Sequence, residues 1–187
     1  DKVRIGKEME NFKNIFNQAD GRRIIVATFS SNIHRIQQIV DNAARQGRKV
    51  AVSGRSMLNV ISTAIELNYI KIPEGLLIDI EQIRKYPPEK VVIVTTGSQG
   101  EPLSALARMS TNDHRQVQIT PNDLIIISAT PIPGNEKLVG NVVNDLMRLG
   151  AEVVYEKMYD VHVSGHACRE EIKLLMALLK PKYFMPI

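Results

Sequence analysis

Apolar residues recur along the chain in two periods, and the periods alternate. Near the start, Met9, Phe12, Phe16 and Ala19 stand three and four apart, the spacing of an amphipathic helix, and Asp20-Gly21 then supplies a stop. RIIVATF at 23–29 reads as a buried strand. SNIHRIQQIVDNAARQG at 31–47 returns to helical spacing with Gly47 as its stop, KVAVS at 49–53 is strand-like, and SMLNVISTAIELNY at 56–69 is helical again. A short segment, LLIDIEQIRKYPPEK, closes at Pro87 and Pro88, and VVIVTT at 91–96 is β-branched and too short for a helix. PLSALARM predicts a short helix, DLIIISA a strand, EKLVGNVVNDLMRLG a helix closed by Gly150, and EVVY a further strand. VHVSGHACREE at 161–171 leads into a last helix, and the closing KPKYFMPI reads as a strand in progress.

Alternating β and α elements with near-continuous apolar strands predict an α/β fold: an open, mostly parallel sheet with helices on both faces, doubly wound and Rossmann-like. The 187 residues suit one domain spanning 1–187, and the apolar closing stretch gives the expectation of a fragment of a longer protein. Hydrophobic residues at 44% and charged residues at 24% exclude disordered and fibrous classes. The longest apolar run, near LIIISA, is far short of the roughly 18 residues that span a bilayer, so the expected location is cytoplasmic. A lone cysteine, Cys168, excludes a disulfide framework. The net charge of +4 permits a polyanionic partner without requiring one.

Candidate chemistry sits where strands end. TFSSNIHR, SGRSM, TTGSQGEP, SATPIPGNE and HVSGHA are each rich in hydroxyls or glycine. In an open parallel sheet these junctions share the carboxyl edge, where helix amino ends offer unpaired N–H groups, a setting suited to phosphates. The same residue types also serve as ordinary helix caps and turns. TTGSQGEP exceeds a cap, with Gly97 and Gly100 flanking Ser98 and Gln99 ahead of Glu101, yet it is neither a Walker loop nor a dinucleotide fingerprint. Arg35, in the first turn of a helix beginning near Asn32, is a candidate phosphate contact or a solvated surface arginine, and Arg55 invites the same two readings. His162 and His166 have the i, i+4 spacing of zinc ligands, but Ser164-Gly165 between them argues for a loop and no further cluster completes a metal set. For His166 the residues leave open a general acid, a phosphate ligand or a helix cap; His162 reads as structural.

ATFSSNIHRIQQIVD, GRKVAVSGRSM, VTTGSQGEPLSAL, PIPGNE, SGHA and KPKYFMPI, in this order, resemble the β-CASP domain of bacterial ribonuclease J over essentially the whole chain. The resemblance implies a β-CASP domain inserted in a metallo-β-lactamase nuclease domain of the same polypeptide, with the active site between them. It implies RNA as substrate, cut endonucleolytically and degraded from a 5′-monophosphate end, and a homo- or hetero-oligomeric full enzyme. Two zinc ions, held by the lactamase domain, would activate water there. His166 of the SGH motif is then the residue that binds or protonates the scissile phosphate region, beside Ser164 and Gly165. Ser30, Ser31 and Asn32, and Gly97, Ser98, Gln99, Gly100 and Glu101, match positions facing the RNA cleft. The lactamase metal motifs are absent from this chain, so by itself it is expected to hold no zinc and to cleave nothing, while retaining weak RNA binding.

Two other classes fit the residues. A freestanding sugar-phosphate or nucleotide-binding enzyme would need its own acid–base pair, for which only His166 with Glu101 offers itself. A structural docking module would use the outer helix faces instead.

Overall fold

Short runs of Ile and Val, apolar on both faces, satisfy their backbone groups and bury their side chains together only as central strands of a sheet covered twice. The computed structural model, which describes residues 10, 12–19, 21–155, 167 and 169–185, builds such a sheet. Its elements are α1 (12–18), β1 (Arg23–Ala27), α2 (Ile33–Arg45), β2 (Lys49–Ser53), α3 (Arg55–Glu66), β3 (Leu77–Ile78), β4 (Val91–Thr95), α4 (Ala105–Ser110), β5 (Asp123–Ile127), α5 (Glu136–Arg148), β6 (Glu152–Tyr155) and α6 (Arg169–Leu179). The strands lie in the order β3-β2-β4-β1-β5-β6. Every pairing is parallel.

Alternation within each strand splits the core in two. Ile24, Val26, Val92, Val94, Leu124 and Ile126 face a layer holding Phe12 and Phe16 of α1, Ile36 and Ile39 of α2, and Met57 and Ile61 of α3. Ile25, Ala27, Ile93, Ile125 and Ile127 face the opposite layer, with Leu106 and Met109 of α4 and Val139, Val143 and Leu146 of α5. The expected α/β class, with helices on both faces, is therefore the observed one, and the sheet is wholly parallel among the described residues.

The chain's route explains where a site can form. From β1 it runs outward through β2 to β3, with α2 and α3 on one face; from β4 it crosses β1 to β5 and β6, with α4 and α5 on the other. Neighbouring β1 and β4 thus send their following loops to opposite faces. Such a switch point opens a crevice beyond the strands' carboxyl ends.

Expectation and structure differ at two places. Between residues 76 and 90 only Leu77–Ile78 pairs as a strand; 3₁₀ turns follow at Ile80–Lys85 and Pro88–Lys90. Asp79 accepts a bond from the Glu81 N–H at 3.1 Å, and the prolines deny strand donors. The strand expected near the end does not form over 183–185, where Tyr183 is 83% exposed and no partner strand lies alongside among the described residues. Helix α6 forms as expected, yet none of its residues is buried.

Candidate nucleic-acid interface

Register brings the strand ends level. Ala27 stands opposite both Thr95 and Ile127, and Ser53 opposite Thr95. The backbone continues this alignment past the strands: Thr28 N–H donates to Thr95 O at 3.2 Å, Ser128 N–H to Ala27 O at 2.8 Å, and Thr96 N–H to Ser53 O at 3.3 Å. Thr28, Ser53, Thr95 and Ser128, all buried, form a polar seam along one edge. Four of the five hydroxyl-rich junctions read from the sequence therefore meet on one rim. The fifth, with His162, Ser164, Gly165 and His166, lies outside the described residues.

The remaining candidates, Arg35 excepted, have definite places on that rim. Ser30 and Asn32 are half-buried and Ser31 is exposed in the β1–α2 loop. Asn32 is the N-cap of α2, its Oδ1 accepting from the Arg35 N–H at 3.1 Å. Arg35 turns away from the rim. It is 3% exposed, its guanidinium lies 4.8 Å over the Phe12 ring, and Nη1 donates to Gln38 Oε1 at 2.8 Å. Burial lowers its pKa to about 10, a mark of a desolvated cation rather than the solvated arginine that helix surfaces usually carry.

In the β4–α4 loop, Gly97, Ser98, Gln99 and Gly100 are buried and Glu101 is exposed. Gly97 holds φ +107°, and a Cβ there would sit 2.4 Å from Ser104 Oγ, so the loop folds tightly onto the start of α4. Its outward face is Glu101 and Leu103, the latter 89% exposed.

Beside this loop lies a concavity of about 450 Å³ lined by Arg55, Ser56, Thr96, Glu101, Ser104 and Arg108. Gly54 opens α3 into it with φ +109°, a conformation L side chains resist, and an added Cβ would be 2.5 Å from Thr96 Oγ1. Gly54 caps α3 without a side-chain acceptor, which leaves first-turn N–H groups directed outward. Two guanidiniums, hydroxyls and a helix amino end make a concavity able to take an anion, with Glu101 the one acidic member of that lining.

Under this concavity, Ser53 Oγ and His114 Nε2 are 2.9 Å apart. His114 Nδ1 accepts from the Val117 N–H at 3.1 Å and the Gln116 N–H at 3.3 Å, so the ring proton resides on Nε2 and is donated to Ser53. Burial, and then the charge of Arg108, lower the His114 pKa from its ordinary 6.5. Neither His114 nor Arg108 stands out in the sequence. Arg108 reaches the rim only through its spacing of four from Ser104, the N-cap of α4, and a single histidine in a polar turn carries no periodic signal. Among the described residues, no three His, Cys, Asp or Glu side chains group as a metal set.

Residues 21–146 match the family described as "Ribonuclease J, beta-CASP domain". The chain belongs to that family. Residues 150–187 of this ribonuclease J β-CASP chain match a second family, "Zn-dependent metallo-hydrolase RNA specificity domain". The chain is 50% identical over 176 residues to ribonuclease J of Helicobacter pylori strain J99, which covers 94% of this chain and 25% of that protein. It is 48% identical over 177 residues to ribonuclease J of a Synechocystis strain, 95% of this chain and 28% of the relative. With ribonuclease J of Thermus thermophilus it shares 44% identity over 184 residues, 98% of this chain and 31% of the relative. The β-CASP chain thus spans between a quarter and a third of these relatives' lengths. The second family's description implies zinc in the parent enzyme. No helix among the described residues is long and apolar enough to cross a membrane.

Proposed function

We propose that this chain is the RNA-binding β-CASP part of a zinc-dependent ribonuclease that cuts RNA internally and degrades it from a 5′-monophosphate end, in RNA maturation and decay in the cytoplasm. The observation that carries the reading is the convergence of four hydroxyl-rich strand ends on one rim at the β1/β4 switch point, in a chain of this family. Phosphodiester chemistry needs donors for phosphate oxygens, and the rim supplies them from backbone, hydroxyls and two arginines. Ser30, Ser31 and Asn32 contribute from one side of the crevice and the 97–101 loop from the other. His166 acts on the scissile phosphate region with Ser164 and Gly165 beside it. The two zinc ions are held by a metallo-β-lactamase domain of the same polypeptide. The exposed Leu174, Leu175, Leu178 and Leu179 of α6 give that domain an apolar surface to cover, and the full enzyme assembles as an oligomer.

Titrating the 187-residue chain with a 5′-monophosphorylated single-stranded oligonucleotide tests this reading. Saturable binding that weakens with salt, and that exceeds binding of the 5′-hydroxyl form, is expected; no saturable binding at low salt would refute it. The chain alone is expected to leave the oligonucleotide uncut.

A further inference from the structure

A rim built to meet RNA has no evident use for a buried carboxamide, yet Gln99 is 3% exposed in a loop whose following residues, Glu101 to Leu103, are exposed. Its side chain is engaged entirely by the β5–α5 loop. Nε2 donates to Thr130 O at 2.9 Å; Oε1 accepts from the Ile132 N–H at 2.7 Å and from Asn135 Nδ2 at 3.4 Å. The partners are 31 to 36 residues away in the chain, and both hydrogen-bonding ends of the amide are used. A second point of attachment follows at once. Gly100 holds φ +71°, and a Cβ there would lie 2.5 Å from the Leu138 carbonyl carbon and 2.6 Å from Val139 N, so the loop backbone rests directly on α5.

Beyond its start at Ser128, the β5–α5 loop has few other fixed points among the described residues. Two prolines, Pro131 and Pro133, offer no N–H, and Gly134 takes φ +101°. The other hydrogen bonds of residues 130–135 among the described residues are local: Asn135 N–H to Ile132 O at 2.8 Å, Gly134 N–H to Glu136 Oε2 at 2.8 Å and Val139 N–H to Asn135 O at 3.0 Å. Among the described residues, the hydrogen bonds that locate residues 130–135 against another part of the rim are those of Gln99.

We infer that Gln99 is a positioning residue, which holds the 130–135 loop against the 97–104 loop so that the two form one fixed wall of the RNA crevice, without itself touching RNA. The inference rests on the RNA reading above for what the wall faces. No other residue type reproduces the contact. Asn carries the same groups one methylene short, Met fills the space and bonds neither partner, and Glu keeps the acceptor for Ile132 but turns a second acceptor toward Thr130 O.

The test compares the 187-residue chain with Gln99→Met, Gln99→Glu and, as a control for stability alone, Ile61→Val in the opposite core layer. All are assayed at a temperature where each is fully folded. Two quantities are read, amide exchange at Ile132 and affinity for the 5′-monophosphorylated oligonucleotide. Gln99→Met is expected to speed Ile132 exchange about tenfold, and to weaken RNA binding about fivefold if the wall is then correctly placed about a fifth of the time. Ile61→Val should change neither. Gln99→Glu supplies a pH signature that a general loss of stability would not: once protonated, its carboxyl can again donate to Thr130 O and accept from Ile132. Glu101, which accepts from the Gln99 N–H, and Glu136, which accepts from Gly134, both disfavour an added negative charge there. The deficit of Gln99→Glu relative to wild type should therefore shrink as pH falls. Unchanged Ile132 exchange in Gln99→Met would overturn the clamp, and faster exchange with undiminished affinity would overturn its role in RNA binding. A wild-type chain that binds no RNA would overturn the RNA reading and with it the facing of the wall, whereas faster Ile132 exchange in the variant would still establish the clamp.

Discussion

His114 shows how a single buried ring ties a distant turn to the rim. Its two nitrogens are committed in opposite senses, Nδ1 accepting from the Val117 and Gln116 N–H groups and Nε2–H donating to Ser53 Oγ. Protonating Nδ1 would set a third donor against two donors in a site where Arg108 already disfavours positive charge. The folded-state pKa is lowered, so below the unfolded value of 6.5 the unfolded chain binds a proton that the folded chain refuses. Stability from this residue is thus fully present above pH 6.5 and declines as pH falls through it toward the lower folded pKa. Urea denaturation between pH 8 and 5 should show that loss in wild type and a flatter acid limb in His114→Gln. His114→Ala should cost about 1–3 kcal/mol at neutral pH, the range for orphaned buried donors. Ser53 was legible in the sequence as one hydroxyl of a strand-end junction; its partner 61 residues away was not, since nothing in NDHRQ marks one histidine as buried. Arg35 was misleading for the related reason that helical spacing fixes a turn, not what lies above it. The ring of Phe12 comes from another helix.

At the level of elements, glycines separate into those the fold requires and those it tolerates. Gly54 must turn β2 into α3 with φ +109° while its backbone passes Thr96 at a distance that leaves no room for a Cβ. Gly54→Ala combines left-handed strain with a side-chain clash, and a loss above about 1 kcal/mol is expected, measured as a lower denaturation midpoint. Gly140 sits inside α5, and an added Cβ meets nothing within 4 Å. Gly140→Ala should raise stability by about 0.5–1 kcal/mol, because alanine lowers the entropy of the unfolded chain without new contacts. Equal effects from the two substitutions would contradict this account. The alternation of five of the six strands with helices was readable because β1, β2, β4, β5 and β6 are short β-branched runs and α2, α3 and α5 keep helical spacing over a dozen residues. Leu77–Ile78 escaped notice since two residues have no period. The stretch over 183–185 looked like a strand by composition alone, but a strand also needs a neighbour to pair with.

Strand order is a property of the whole molecule and was not legible in the chain, because parallel crossovers leave no local trace of which strand lies next to which. It is this order that turns separate caps into one rim, and the pairing of β2 with β4 within it that sets Arg55 and Arg108 on the same 450 Å³ concavity although 53 positions separate them in sequence. Their effect on a polyanion should therefore be electrostatic and countable. Each arginine that neutralises one phosphate of a single strand contributes about 0.7 to the slope of log affinity against log salt concentration. Arg55→Gln and Arg108→Gln should each lower that slope by about 0.7 and weaken binding at low salt, with the two curves converging on wild type as salt screens the contact. Arg35→Gln supplies the contrast. Its guanidinium is held over Phe12 inside the core layer, so the substitution should lower the denaturation midpoint and leave the salt slope of the folded chain unchanged. A slope unaltered by both rim substitutions would place the RNA backbone elsewhere on the molecule, while a slope altered by Arg35→Gln would mean that RNA binding opens the packing between α1 and α2.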